Sequence, residues 1–166
     1  MSGVFRSTDR RWCIGIIDGP NMNTLGRRDK GTYGQIDSWE ALKELTQDTG
    51  EALGLEVLNL VSNYEGEILD WIHANTDNVD GWLINPAGLQ TYGEGIRHAL
   101  QESRKPYIET HFANTVKHFA KASPHIRLES SLTSTALGLT MGLRQYSYVA
   151  SLVSLTMALD DEAFAV

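Results

Sequence analysis

The chain contains one cysteine, four prolines and no long apolar run. A lone thiol, Cys13, excludes an intrachain disulfide and any multi-cysteine metal cluster, and its place inside an apolar stretch makes it a packed core thiol. Positive charge is also short: 14 Lys and Arg stand against 21 Asp and Glu, a formal net charge of −7. No basic stripe interleaved with aromatics occurs, so nucleic acid is not an expected partner. No apolar segment reaches the length of a bilayer span, which argues against a membrane partner. The five histidines, His73, His98, His111, His118 and His125, include no pair four residues apart on an expected helix, so no metal site is expected. Residues 1 to 11 carry three arginines and lack the apolar core of a secretory signal, so the cytoplasm is the expected location. That segment is expected to be a disordered arm, residues 12 to 160 a single domain, and residues 161 to 166 a C-terminal tail.

What is present is a regular alternation of short apolar runs and amphipathic stretches in a chain of 166 residues, long enough to bury one ordinary core. Trp12 to Ile17 predicts a buried strand. Asp37 with Glu40 makes a capping pair for a helix on which Trp39, Leu42, Leu45, Thr49 and Ala52 recur until Gly54. Leu55 to Val61 predicts a second strand, Ser62 with Glu65 the cap of a helix carrying Ile68, Leu69 and Ile72 inward, and Gly81 to Ile84 a third strand. A helix from about Tyr92 to Glu102, a strand from Pro106 to Thr110 and a less regular stretch from Asn114 to Ser134 follow. Ala136 to Leu143 is then a last strand, and Tyr146, Val149, Ala150, Val153 and Met157 share one face of a closing helix. Repeated β-then-α units predict an α/β fold, a flavodoxin-like doubly wound sheet of five parallel strands in a single domain.

The chemistry-bearing residues follow the strands. After the first come Gly19-Pro20-Asn21-Met22-Asn23, then Leu25-Gly26-Arg27-Arg28 and Tyr33-Gly34. Polar residues concentrated at the carboxyl end of a parallel strand sit where α/β proteins bind ligands. The ends of the first, third and fourth strands should bring Asn21, Asn85 and His111 together. A phenol ionises near pH ~10, so a tyrosine acting as a base needs a nearby cation, and Arg28 lies on the same loop as Tyr33. Glu109 stands two residues before His111, on the same strand face, and can hold its imidazole in one orientation.

The order Gly-Pro-Asn-x-Asn-x-Leu-Gly-x-Arg, then Tyr-Gly, resembles the opening of type II 3-dehydroquinate dehydratases. The likeness continues through Ser62-Asn63-Tyr64-Glu65-Gly66-Glu67, Leu69-Asp70-Trp71-Ile72-His73, Ile84-Asn85-Pro86-Ala87 and Glu109-Thr110-His111, over roughly residues 12 to 158. The resemblance implies a cofactor-free lyase of the shikimate or quinate pathway that removes water from a cyclic β-hydroxy ketone through an enolate. It makes Tyr33 the base, Arg28 its activator, Asn21 the enolate-stabilising group and His111 the general acid oriented by Glu109. Asn85 then lies near the leaving hydroxyl and the substrate carboxylate, Phe112 and Ala113 follow the acid histidine in the substrate site, and His73 is a packing residue. It further implies trimers grouped into a homododecamer.

Departures from the family pattern cluster at substrate recognition. Thr91 stands where the family carries a histidine that binds a ring hydroxyl, and His98 where an aspartate reaches a neighbouring subunit's site for the diol. Ala113 replaces a serine that helps hold the substrate carboxylate, and Asp18 an asparagine before Gly-Pro. The stretch from Asn114 to Arg127 is about five residues longer than the family pattern expects. Arg127 matches the family's substrate arginine, with Lys117, His118 and Lys121 competing for that role. An intact proton-transfer set with altered recognition suggests a related ketone lacking the vicinal diol, although Gln90, Tyr92, Glu94 or His98 could rebuild the lost contacts. Three other functions stay open: a hydrolase using the same donors on a cyclic ketone or ester, a non-catalytic small-molecule binder, and a nucleotide or flavin binder, which the short turn at Gly19-Pro20 serves poorly.

Overall fold

The computed structural model describes residues 5–122, 125 and 129–164. Five strands form one parallel sheet: β1 (Cys13–Asp18), β2 (Glu56–Val61), β3 (Gly81–Asn85), β4 (Tyr107–His111) and β5 (Gly138–Met141), in the order β2-β1-β3-β4-β5. The helices are α1 (Lys30–Tyr33), α2 (Trp39–Leu53), α3 (Glu65–Asn75), α4 (Glu94–Glu102), α5 (Thr115–Ala122) and α6 (Tyr146–Asp160), with 3₁₀ turns at Met22–Arg27 and Ala87–Thr91. The flavodoxin-like arrangement is the one that the alternation predicts.

Alternation along the buried strands sorts the core into two layers. Ile14, Ile16, Leu83 and Ile108 face α2 and α6, where Leu42, Tyr148, Leu152 and Leu155 meet them. Ile17, Trp82, Ile84 and Tyr107 face α3 and α4, against Ile68, Ile72, Ile96 and Leu100. Each such side chain, fully buried, contributes roughly 1.5–3 kcal/mol. Cys13 packs half-buried against the second layer, and burial, with the charges of Glu56 and Asp80, pushes its thiol up to about 11. Among the described residues no helix is long and apolar enough to cross a membrane.

Several local expectations need correction. The cap of α2 is Ser38, whose side chain accepts from the Ala41 N–H at 3.0 Å, rather than Asp37. Ser62 accepts from the Tyr64 N–H and donates to Glu67, not Glu65. The stretch after β4 contains a helix, α5, because the Asn114 side chain accepts from the Lys117 N–H at 2.9 Å and starts the first turn. On α6, Tyr146 and Met157 point outward, while Ser147, Tyr148, Ser151, Leu152, Leu155 and Thr156 are buried. The arm is also not loose over residues 5 to 11. Asp160 accepts from Arg6 Nε at 2.6 Å, Trp12 Nε1 at 2.7 Å and Thr8 Oγ1 at 3.0 Å, and so clasps the arm to the end of α6.

Candidate active site

The carboxyl ends of β1, β3 and β4 meet at one rim, and a cleft of about 230 Å³ opens there. Asp18 and Asn85 are register partners at the tips of β1 and β3. Beyond them the Gly19 N–H donates to the Asn85 carbonyl at 2.8 Å, and a Cβ on Gly19 would lie 2.4 Å from the Pro86 carbonyl oxygen. Only glycine lets the two chains approach this closely. Asn21 then adopts a left-handed conformation (φ 68°), which asparagine tolerates, and its N–H donates to Asn63 Oδ1 at 2.8 Å. That turn aims Asn21 into the cleft.

The 3₁₀ turn carries the chain to Arg28, and α1, capped by Asp29, presents Tyr33. The Arg28 guanidinium lies 3.9 Å from the centroid of the Tyr33 ring, and both line the cleft. Phe112 packs against Tyr33, tilted, at 6.0 Å between centroids. His111 also lines the cleft, and its Nε2 is 2.7 Å from Glu109 Oε1, with both side chains buried. Thr133 Oγ1 donates to the other Glu109 oxygen at 2.5 Å. Burial by itself would raise the Glu109 carboxyl, but hydrogen bonds from His111, Ser130 and Thr133 outweigh it and hold the group below its ordinary value. An ionised Glu109 accepts from Nε2–H, which leaves Nδ1 of His111 for the cleft.

Of the residues expected at the site, Tyr33, Arg28, Asn21, His111, Asn85, Phe112 and Ala113 line this cleft, and Glu109 stands behind His111. Thr91 does not line it. From its 3₁₀ turn, Ala87–Thr91, the cleft is lined by Ala87, Gly88 and Gln90 instead. His98 lies outside the cleft of a single chain, exposed on α4 beside Glu94. Arg127 lies outside the described residues. His118 and Phe119, supplied by α5, also line the cleft.

One feature escaped sequence reading. Behind the cleft, Tyr148 donates to Asp18 Oδ1 and accepts from Asn85 Nδ2 at 2.9 Å, while Trp39 Nε1 donates to Asp18 Oδ2 at 3.0 Å. Complete burial, only partly offset by the hydrogen bonds from Tyr148 and Trp39, pushes the Asp18 carboxyl up to about 6. Asp18 was visible as a departure from the family pattern, but a tyrosine on an apolar helix carries no sign that its hydroxyl reaches a strand tip.

Comparison with known proteins agrees with this geometry. The family model Dehydroquinase class II matches residues 12–156. The chain belongs to the class II dehydroquinase family. It is 37% identical over 139 residues to the 3-dehydroquinate dehydratase of Halothermothrix orenii, covering 84% of this chain and 90% of that one. It is 36% identical over 151 residues to 3-dehydroquinate dehydratase 2 of Pseudomonas putida, covering 89% and 95%. Among solved structures, the type II dehydroquinase of Propionibacterium acnes superposes with a TM-score of 0.78 at 30% identity, covering 90% of this chain and 99% of that one. As a class II dehydroquinase, the chain is a dehydratase, a lyase that removes water.

Proposed function

We propose that this cleft dehydrates a cyclic β-hydroxy ketone, either 3-dehydroquinate or a close relative lacking the vicinal diol. The observation that carries the assignment is that the Arg28–Tyr33 pair and His111, backed by Glu109, line one small cleft. Tyr33, as phenolate beside the Arg28 cation, takes the proton next to the carbonyl, and the electron pair moves into an enolate. Asn21 stabilises the developing negative charge, directly or through a bound water. The enolate collapses to a carbon–carbon double bond as the hydroxyl leaves, and His111 gives that oxygen a proton, releasing water. Atoms and charges balance without a cofactor.

The altered recognition supports tolerance for rings without the diol. Thr91 lies off the cleft, Ala113 offers no hydroxyl, and Gln90 supplies an amide where the cleft wall needs a polar group. Asn85, Phe112 and Ala113 form the substrate wall, with Arg127 a further candidate for its carboxylate and His98 a candidate for contact with a neighbouring copy's site. A cytoplasmic homo-oligomer, trimers grouped into a dodecamer, completes the proposal. Exposed apolar side chains at Leu143, Tyr146 and Met157 support burial against other copies, and sedimentation velocity of the purified chain tests it.

The decisive assay follows the conjugated enone by absorbance with 3-dehydroquinate as substrate. Turnover is expected in the parent protein and is expected to fall by about a thousandfold in Tyr33→Phe. An analogue lacking one diol hydroxyl should keep kcat/KM within about tenfold of the full substrate, because no buried partner is left unpaired by its loss. Equal turnover by Tyr33→Phe and the parent would overturn the assignment of the base.

A further inference from the structure

Two of the proton-transfer groups, Arg28 and Tyr33, stand on a loop that is thinly tied to the rest of the domain. Its own bonds are local: the Arg28 N–H donates to the Leu25 carbonyl, the Gly34 N–H to the Lys30 carbonyl, and the Asp29 side chain accepts from the Thr32 N–H. Lys30 Nζ donates to the Ile36 carbonyl at 3.1 Å and lies 3.6 Å from Asp37. Among the described residues, every hydrogen bond and ion pair of residues 28 to 34 ends within residues 25 to 37, with one exception. Arg144 Nη2 donates to the Gly31 carbonyl at 3.1 Å, across 113 positions of sequence. The aliphatic stem of the same side chain lies over Gly34, where a β-carbon would stand 2.9 Å from Arg144 Cδ.

Arg144 lies between β5 and α6 in a left-handed conformation, φ 55°, which a β-carbon disfavours and a glycine would take freely. An unfavourable backbone under a long side chain points to a use for that side chain. The Arg144 N–H donates to the carbonyl of Phe112 at 3.0 Å, and Phe112, next to His111 in the chain, packs against Tyr33. The geometry points to Arg144 as a positioning residue that seats the Arg28–Tyr33 pair against the tip of β4, so that base and acid share one frame. Arg144 does not line the cleft and acts through the loop alone. The inference rests on the proposed role of Tyr33 as the base. The hydrogen bond to Gly31 is exposed and of ordinary strength, and it matters because no second bond shares its task.

Arg144→Asn tests this, because asparagine accepts the left-handed backbone but falls short of Gly31. Native-state digestion of the full chain with a lysine-specific endoproteinase reads the loop at Lys30, through the fragments seen by mass spectrometry. Cutting there requires the loop to leave its seat, so the rate follows the open population. Cleavage after Lys30 should quicken about fivefold, the value of one lost hydrogen bond, while cleavage after Lys43 and Lys105 and the urea midpoint stay as in the parent. In steady-state turnover of 3-dehydroquinate, kcat should fall about tenfold because the phenol is misplaced, with KM within about twofold because Asn85, Phe112 and Ala113 hang from the strands. Arg144→Lys keeps the stem and a donor, and should hold kcat within about threefold of the parent. Unchanged cleavage after Lys30 in Arg144→Asn would overturn the inference, as would faster cleavage at every lysine alike, faster cleavage with undiminished kcat, or a loss of kcat that lysine does not repair. Absence of turnover in the parent would count against the proposed reaction, and the rate of cleavage after Lys30 would still decide whether Arg144 seats the loop.

Discussion

Asp18 is a carboxyl group placed where no water reaches it, and its raised pKa couples the tip of β1 to pH. Between an unfolded value near 3.8 and a folded value of about 6, the native state binds more protons than the unfolded chain. Its contribution to stability is therefore full below the unfolded pKa and lost as pH rises through about 6. By neutral pH the loss amounts to about 3 kcal/mol. Asp18→Asn removes this dependence: the stability of the variant relative to the parent should climb by that amount between about pH 4 and pH 7. Urea unfolding midpoints at each pH measure it, and Glu109 and Asp160, which titrate in the opposite direction, cancel in the difference. A difference that stays flat across this range would show that Asp18 is not buried as described. At Glu109 the concern is charge rather than stability. Glu109→Gln keeps the shape but removes the carboxylate that orients His111, and kcat should fall about a hundredfold in steady-state kinetics.

The tips of β1 and β3 work as a pair, and Gly19 is the point of closest approach. Gly19→Ala puts a methyl group against a backbone carbonyl, which cannot swing aside as a side chain can, so the tips must separate. A cost of about 1–3 kcal/mol in chemical denaturation is expected, with a larger proportional loss of turnover, because Asn21 and Asn85 hang from the two displaced segments. The five strands were legible because their apolar runs are short and punctuated by Gly, Pro and Asn. α5 was not, since it is only eight residues long, its apolar positions are few, and none of its described residues is buried. α6 misled for the opposite reason. Its buried face carries Ser147, Ser151 and Thr156, small enough to pack closely, while the apolar residues that set the expected face, Tyr146 and Met157 among them, look outward. The candidate proton-transfer residues stood out in the sequence because Asn21, Arg28 and Tyr33 share the polar segment after β1, and Glu109 and His111 share one face at the end of β4. From the turn after β3, Ala87, Gly88 and Gln90 line the cleft and Thr91 does not, a difference that residue counting along the sequence does not reveal.

Over the whole molecule, the first and last described elements are tied together by one residue. Asp160 gathers Arg6, Thr8 and Trp12 from the other end of the chain, and although burial works against it, those hydrogen bonds hold its carboxyl well below the usual range. Its contribution is thus present above the unfolded pKa and disappears as pH falls. Asp160→Ala strands Arg6 in a mostly buried position, and a loss of about 3 kcal/mol is expected in thermal or urea unfolding. Activity at a temperature where the variant remains folded should be unaffected, since the clasp joins the arm to the C-terminal end of α6 and takes no part in the cleft.

The strand order has a consequence for how the chain is made. Of the strands, β1, which is interior to the sheet, leaves the ribosome first and can pair with β2 soon afterwards, but its other edge waits for β3, and the edge of β3 waits for β4. During that interval a nascent chain displays an open parallel edge lined with Ile14, Ile16 and Ile17, the kind of surface that recruits other strands. Pausing of translation between residues 61 and 81 is where this protein should most need a chaperone.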